Sequence, residues 1–189
     1  MIGGHARLGY RAAGAPVPRE GILADWHLAQ INVATALYPL DDPRIAEFMG
    51  LLDEVNALAD GSPGFVWRLQ SAQGNATDLR MTDDPKFIVN MSVWQSPEAL
   101  FDFVYKSAHR LVMAKRRQWF ERPERAYQAL WWVAAGTLPS VEEGLARLDH
   151  LDRHGPTAHA FTFKQKFPPP MAAGLPEDMG PEPFCVGWE

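Results

Sequence analysis

KFIVNMSVWQSPEAL, residues 86–100, is the stretch that decides the fold. Its first nine residues read as a β-strand bounded by polar turn residues. Successive side chains on a strand point to opposite faces, so Asn90 and Trp94 share one face, with Ser92 between them. Ser96 and Pro97 then open a helix, because serine can accept an orphan N-terminal amide bond and proline is preset for the first helical position. A strand followed at once by a helix points to an α+β arrangement, and the same grammar recurs on both sides.

Upstream, HLAQINVATAL (27–37) alternates Ile31 and Val33 with Gln30 and Asn32, as a half-buried strand does. Asp42-Pro43 starts a helix whose Ile45, Phe48, Leu52, Val55 and Ala59 form an apolar stripe that must face a sheet, and Gly61 and Pro63 stop it. FVWRLQ (65–70) is a second strand, and SAQGNATDLRMTDD is a loop. Downstream, the helix opened by Pro97 is predicted to reach Trp119 or Phe120 with a bend near Ser107. YQALWWVAAG (127–136) is apolar on both faces, which predicts a central or interfacial strand. Ser140 and Glu143 form a capping-box pattern for a third helix ending at Gly155-Pro156, and AHAFTFKQKF is predicted as a last strand.

The order β-α-β-β-α-β, plus a further helix and strand, is the ferredoxin-like α+β plan: an antiparallel sheet with helices on one face. The uncovered face would need a partner, which predicts a homodimer. The domain is expected over residues 27–167, with an irregular Gly-, Ala- and Pro-containing extension at 1–26 and a Pro-rich tail at 168–189.

Within 189 residues, 47 % hydrophobic and 22 % charged residues describe one globular domain. Seven tryptophans point to a pocket or a dimer seam. A net charge of -5 gives no general attraction to nucleic acid or anionic lipid. The basic stretch from Lys106 to Arg125 reads as a solvated helix face. With Cys185 alone there is neither an intrachain disulfide nor a cysteine zinc cluster, and no segment has the apolar length of a secretory signal or a membrane span, so a cytoplasmic location is expected.

Asn90, polar among apolar neighbours, is either satisfied by a neighbouring strand or addresses a ligand. In the second helix Phe101, Tyr105, His109, Met113, Arg116 and Phe120 recur at spacings of three and four, a mixed aromatic and titratable stripe able to donate protons and hold an anionic or phenolic ligand. Trp119 and Trp131 join Tyr105 and Phe120 as candidate substrate-binding aromatics. His150 and His154 have i, i+4 metal spacing but no HExxH motif, and they read as a solvated helix end, so no metal is expected. Phosphate-binding loops and a nucleophile elbow are absent.

The run W94-Q-S-P-E-A-L, followed by Tyr105 and His109, the LWWV strand and the later AFTF strand, resembles an uncharacterised bacterial family of the dimeric α+β barrel superfamily, related to antibiotic-biosynthesis monooxygenases. The resemblance implies a homodimer binding a small aromatic molecule. In cofactor-free monooxygenases of that superfamily an Asn, a Trp four residues on and a later Arg oxidise phenolic polycycles to quinones. Asn90, Trp94 and Arg116 are the corresponding candidates, with His109 as a fourth. The resemblance also leaves open a haem enzyme with His109 as axial ligand, and a non-catalytic dimeric binding protein.

Overall fold

A computed structural model describes residues 25–71, 76–77, 82 and 84–170. The expectations for the rest of the loop at 71–84 and for the two extremities lie outside the described residues. Four strands, β1 (Trp26–Thr35), β2 (Phe65–Arg68), β3 (Phe87–Trp94) and β4 (Gln128–Ala134), form one antiparallel sheet in the order β2-β3-β1-β4. Between them run α1 (Ala46–Asp60), α2 (Pro97–Lys106) and α3 (His109–Lys115), and α4 (Val141–His154) follows β4. This is the predicted β-α-β-β-α-β order.

Local chemistry explains the boundaries. The Asp42 carboxylate accepts the Arg44 amide and starts a 3-10 turn, Pro43–Ile45, that leads into α1. Ser96 Oγ accepts the Ala99 amide at 3.1 Å and caps α2. The predicted bend is a full break: Ser107 adopts an extended backbone, its hydroxyl donates to the Phe103 carbonyl, and it accepts the His109 amide at 3.1 Å. One serine thus closes α2 and opens α3.

The sheet has two unlike faces. On one, Ala29, Ile31, Met91, Val93, Trp131 and Val133 pack against Val141, Leu148 and Leu151 of α4. Gly144 permits that approach, because a Cβ there would lie 2.8 Å from Ile31 Cδ1 and 3.2 Å from Met91 Sδ. The helices are therefore not confined to one face. α4 closes the middle of the face whose exposure had predicted pairing with a second copy. The Ser140 hydroxyl caps α4 as expected, but Glu143 does not complete the box; its Oε1 accepts instead from Trp131 Nε1 at 3.0 Å and Arg147 Nη2 at 2.9 Å.

β4 is an edge strand rather than a central one, yet both its faces are covered. Trp131 lies toward α4, while Leu130 and Trp132 lie toward Phe161 and Phe167. The predicted last strand reduces to two isolated bridges, Thr157 with Ala160 and Leu130 with Phe161. The chain turns directly after Phe161, Thr162 N–H bonding the Gln165 carbonyl, and Phe163 packs on Phe101 and Tyr105 with ring centroids 5.8 and 5.9 Å away.

On the other face, α1, α2 and α3 enclose two apolar clusters at opposite ends of the strands. One contains Leu28, Trp94, Leu100 and Val104, and the other Ala36, Ile45, Trp119 and Phe120. The sheet between them is polar. No described helix is long and apolar enough to cross a membrane.

Candidate active site

The polar strip follows from register. Antiparallel pairing sets Gln30 opposite Ser92, and Asn32 opposite both Asn90 and Gln128, all on the face turned toward α1–α3. A buried amide costs free energy unless bonded, and the buried one here, Gln30, bonds to its neighbours. Gln30, only 3 % exposed, donates through Nε2 to Asn90 Oδ1 and to Ser92 Oγ, each at 3.0 Å. Ser92 Oγ also accepts Trp94 Nε1 at 2.8 Å, and Asn32 Nδ2 reaches Gln30 Oε1 at 3.4 Å.

Above this floor opens a cleft of about 200 Å³. Trp94, Phe103 and Val104 wall one end and Phe48, Trp119 and Phe120 the other, while Leu52 and Val55 of α1 face the floor across the gap. The apolar stripe of α1 thus faces a cavity more than a sheet. Aromatic rings run in contact from Phe65 through Trp94 and Phe103 to His109, with centroids 5.3, 5.1 and 4.8 Å apart.

Titratable groups complete the lining. His109 Nδ1 lies 3.4 Å from the Val104 carbonyl, an acceptor only, so Nδ1 carries the proton and Nε2 the lone pair. Burial disfavours its cation and holds its pKa below the ordinary value, although the Val104 carbonyl pulls the other way. Tyr105 lines the mouth and stays protonated, its pKa raised by partial burial and by Tyr127. Arg116, half-buried, stacks its guanidinium 4.4 Å from the Tyr127 ring centroid and makes no ion pair among the described residues. Arg68 also lines the cleft and is paired with Asp60 at 2.8 Å.

The cleft brings together Asn90, Trp94, His109, Arg116, Tyr105, Trp119 and Phe120. Trp131 is a correction. It sits on the opposite sheet face, fully buried against α4, because odd-numbered residues of β4 point away from the cleft. The break at Ser107 also splits the predicted stripe: Phe101 leaves the cleft to pack on Tyr105 and Phe163, whereas His109, Met113 and Arg116 line it. Gln30, Asn32 and Gln128 were missed as site residues. Their signal was the polar side of strand alternation, which reads equally well as a solvent face until helices are placed over it. His150 Nε2 lies 3.0 Å from Thr157 Oγ1, and among the described residues no group of three His, Cys, Asp or Glu is placed to hold a metal.

The depressed pKa of His109 has a measurable consequence. His159 is also depressed, by desolvation and then by Arg147 and His150. As pH falls below about 6.5 the unfolded chain protonates these imidazoles before the folded chain does, so stability declines from there until the folded pKa values are passed. Asp42, held at about 2, and Glu98 and Glu142, also lowered, act at more acid pH. Urea unfolding between about pH 7.5 and 5 is expected to show the decline, flattened in a His109→Leu, His159→Leu double variant. An identical slope in wild type and variant would contradict it.

Several solved structures resemble the chain, among them the following three. SnoaB from Streptomyces nogalater, a cofactor-independent oxygenase, is 23 % identical over 60 % of this chain and 98 % of its own, with a TM-score of 0.41. NE2512 from Nitrosomonas europaea, of unknown function, is 15 % identical over 62 % and 98 %, with a TM-score of 0.41. Rv0793 from Mycobacterium tuberculosis is 19 % identical over 61 % and 98 %, with a TM-score of 0.38. No curated protein matches. A family model does, over residues 27–175, a span that takes in all of the described sheet but its first residue, Trp26, and the described helices α1 to α4. On that match the chain belongs to the family described as Domain of unknown function (DUF3291).

Proposed function

We propose that the protein is a cofactor-independent monooxygenase acting on a small phenolic or polycyclic aromatic compound. The observation that carries this reading is the hydrogen-bonded amide floor, Gln30, Asn90 and Ser92, beneath an otherwise apolar and aromatic cleft. A flat ring system is held between the aromatic ends, and its oxygen meets Asn90. The unpaired guanidinium of Arg116 favours the phenolate or enolate over the neutral phenol. His109, neutral and with its Nε2 lone pair free, takes the proton. The reading is also supported by the resemblance carried by Asn90 and Trp94, and the modest volume of the cleft favours such a ligand over a porphyrin.

Deprotonation makes the ring electron-rich enough to reduce molecular oxygen. For anthrone as the probe, the methylene carbon becomes a carbonyl: one C–O bond forms, the O–O bond breaks, and both methylene hydrogens leave with the second oxygen atom as water. Oxygen uptake by chelator-treated protein, corrected for spontaneous oxidation, is the test. Uptake equimolar with anthraquinone formed is expected. Saturable binding without uptake would support the non-catalytic binding protein instead, and a histidine-dependent Soret band on haem addition would support the haem enzyme.

A further inference from the structure

We infer that Gln30 is a positioning residue that sets the polarity of the cleft floor, turning Asn90 into a hydrogen-bond donor and selecting a ligand with an acceptor oxygen at that point. Its consequence for turnover rests on the oxygenase reading, while the orientation itself does not.

The argument begins at Trp94. An indole N–H can only donate, so Ser92 Oγ accepts it at 2.8 Å. Gln30 presents Nε2 to the same oxygen and to Asn90 Oδ1, both at 3.0 Å, and one amide nitrogen has two hydrogens for these two acceptors. Its Oε1 meanwhile receives Asn32 Nδ2. Turning Gln30 alone would set Oε1 against Asn90 Oδ1, oxygen facing oxygen, and Nε2 against the Asn32 amide nitrogen, losing two bonds at a residue that is 3 % exposed. The bonds are kept only if Asn32 and Asn90 turn with it, so the three amides form one coupled unit whose orientation is the one these contacts give. With Oδ1 occupied, Asn90 has only Nδ2 to offer the cleft. Unlike Gln30, Asn90 is exposed, so those two N–H groups are within reach of a ligand. A carbonyl, enolate or phenolate oxygen satisfies them; an amine offering only hydrogens does not.

Two measurements on the full chain test this. Side-chain amide NMR of the free protein is expected to show slow solvent exchange for the Gln30 amide group and fast exchange for that of Asn90. The reverse pattern would overturn the inference without any ligand. The second compares binding of 9,10-anthraquinone, which has acceptor oxygens only, with 2-aminoanthracene at mildly alkaline pH. Wild type is expected to prefer the quinone by roughly tenfold. Gln30→Glu, whose carboxylate claims the Asn90 N–H and turns its oxygen outward, is expected to move the preference toward the amine, and Gln30→Met to erase it. A folded Gln30→Glu or Gln30→Met variant with the wild-type preference would overturn the inference. Failure of wild type to bind either probe would instead defeat the aromatic-ligand reading, and the amide exchange would still decide the orientation.

Discussion

Trp94→Ala is expected to lower the free energy of unfolding by about 3–5 kcal/mol, among the largest single losses in the chain. The indole is fully buried. It meets Phe65 edge to face and stacks on Phe103 with planes 25° apart, so its removal leaves a cavity bounded by β2, β3 and α2 that none of the three can easily fill. Trp94→Phe is the milder change. It keeps a ring in the stack but loses the N–H to Ser92 and the extra bulk of the indole, for which about 1–3 kcal/mol is expected. Chemical unfolding of both variants checks the pair of values. A loss below about 1 kcal/mol for the alanine variant would mean that Trp94 is a replaceable cleft wall rather than a structural member of that end of the domain.

That dual character shows where sequence reasoning reached and where it stopped. Strand parity along β3 put Asn90, Ser92 and Trp94 on one face, and the structure agrees, because a period of two is intrinsic to an extended chain. Parity along β1 grouped Gln30 with Asn32 equally well, but not what covers them; solvent and a polar cleft impose the same alternation. Trp131 and Trp132 look alike in sequence and differ by one residue, yet one is sealed under α4 and the other donates its N–H to the Phe167 carbonyl. Only the placement of α4, which follows from Gly144 meeting Ile31 and Met91, assigns each face. Ser107 was legible as a bend. That it ends one helix and begins another depends on a hydroxyl serving two backbone groups, and this moves Phe101 and His109 into different surroundings.

Arg116→Ala is expected to reduce kcat/KM for anthrone by about 10²- to 10³-fold, the scale of removing one donor from a preorganised anion site. Thermal stability should change little, because the guanidinium is half-buried, lies in a 3-10 turn, and has a single aromatic partner in Tyr127. Asn90→Ala is expected to fall in the same range, for a different reason: on the proposed reading Arg116 would supply net charge through space, whereas Asn90, which holds one end of the Gln30 amide, would supply directed N–H groups. If both stabilise the same oxyanion, the double variant falls short of the product of the single losses, since once the charge is poorly held the second group has less to act on. Arg116→Lys discriminates further. Restored charge without the planar stack on Tyr127 should recover part of kcat while leaving KM raised. Full activity in Arg116→Ala and Asn90→Ala, with oxygen uptake intact, would remove both from the chemistry and return the amide floor to a purely structural role.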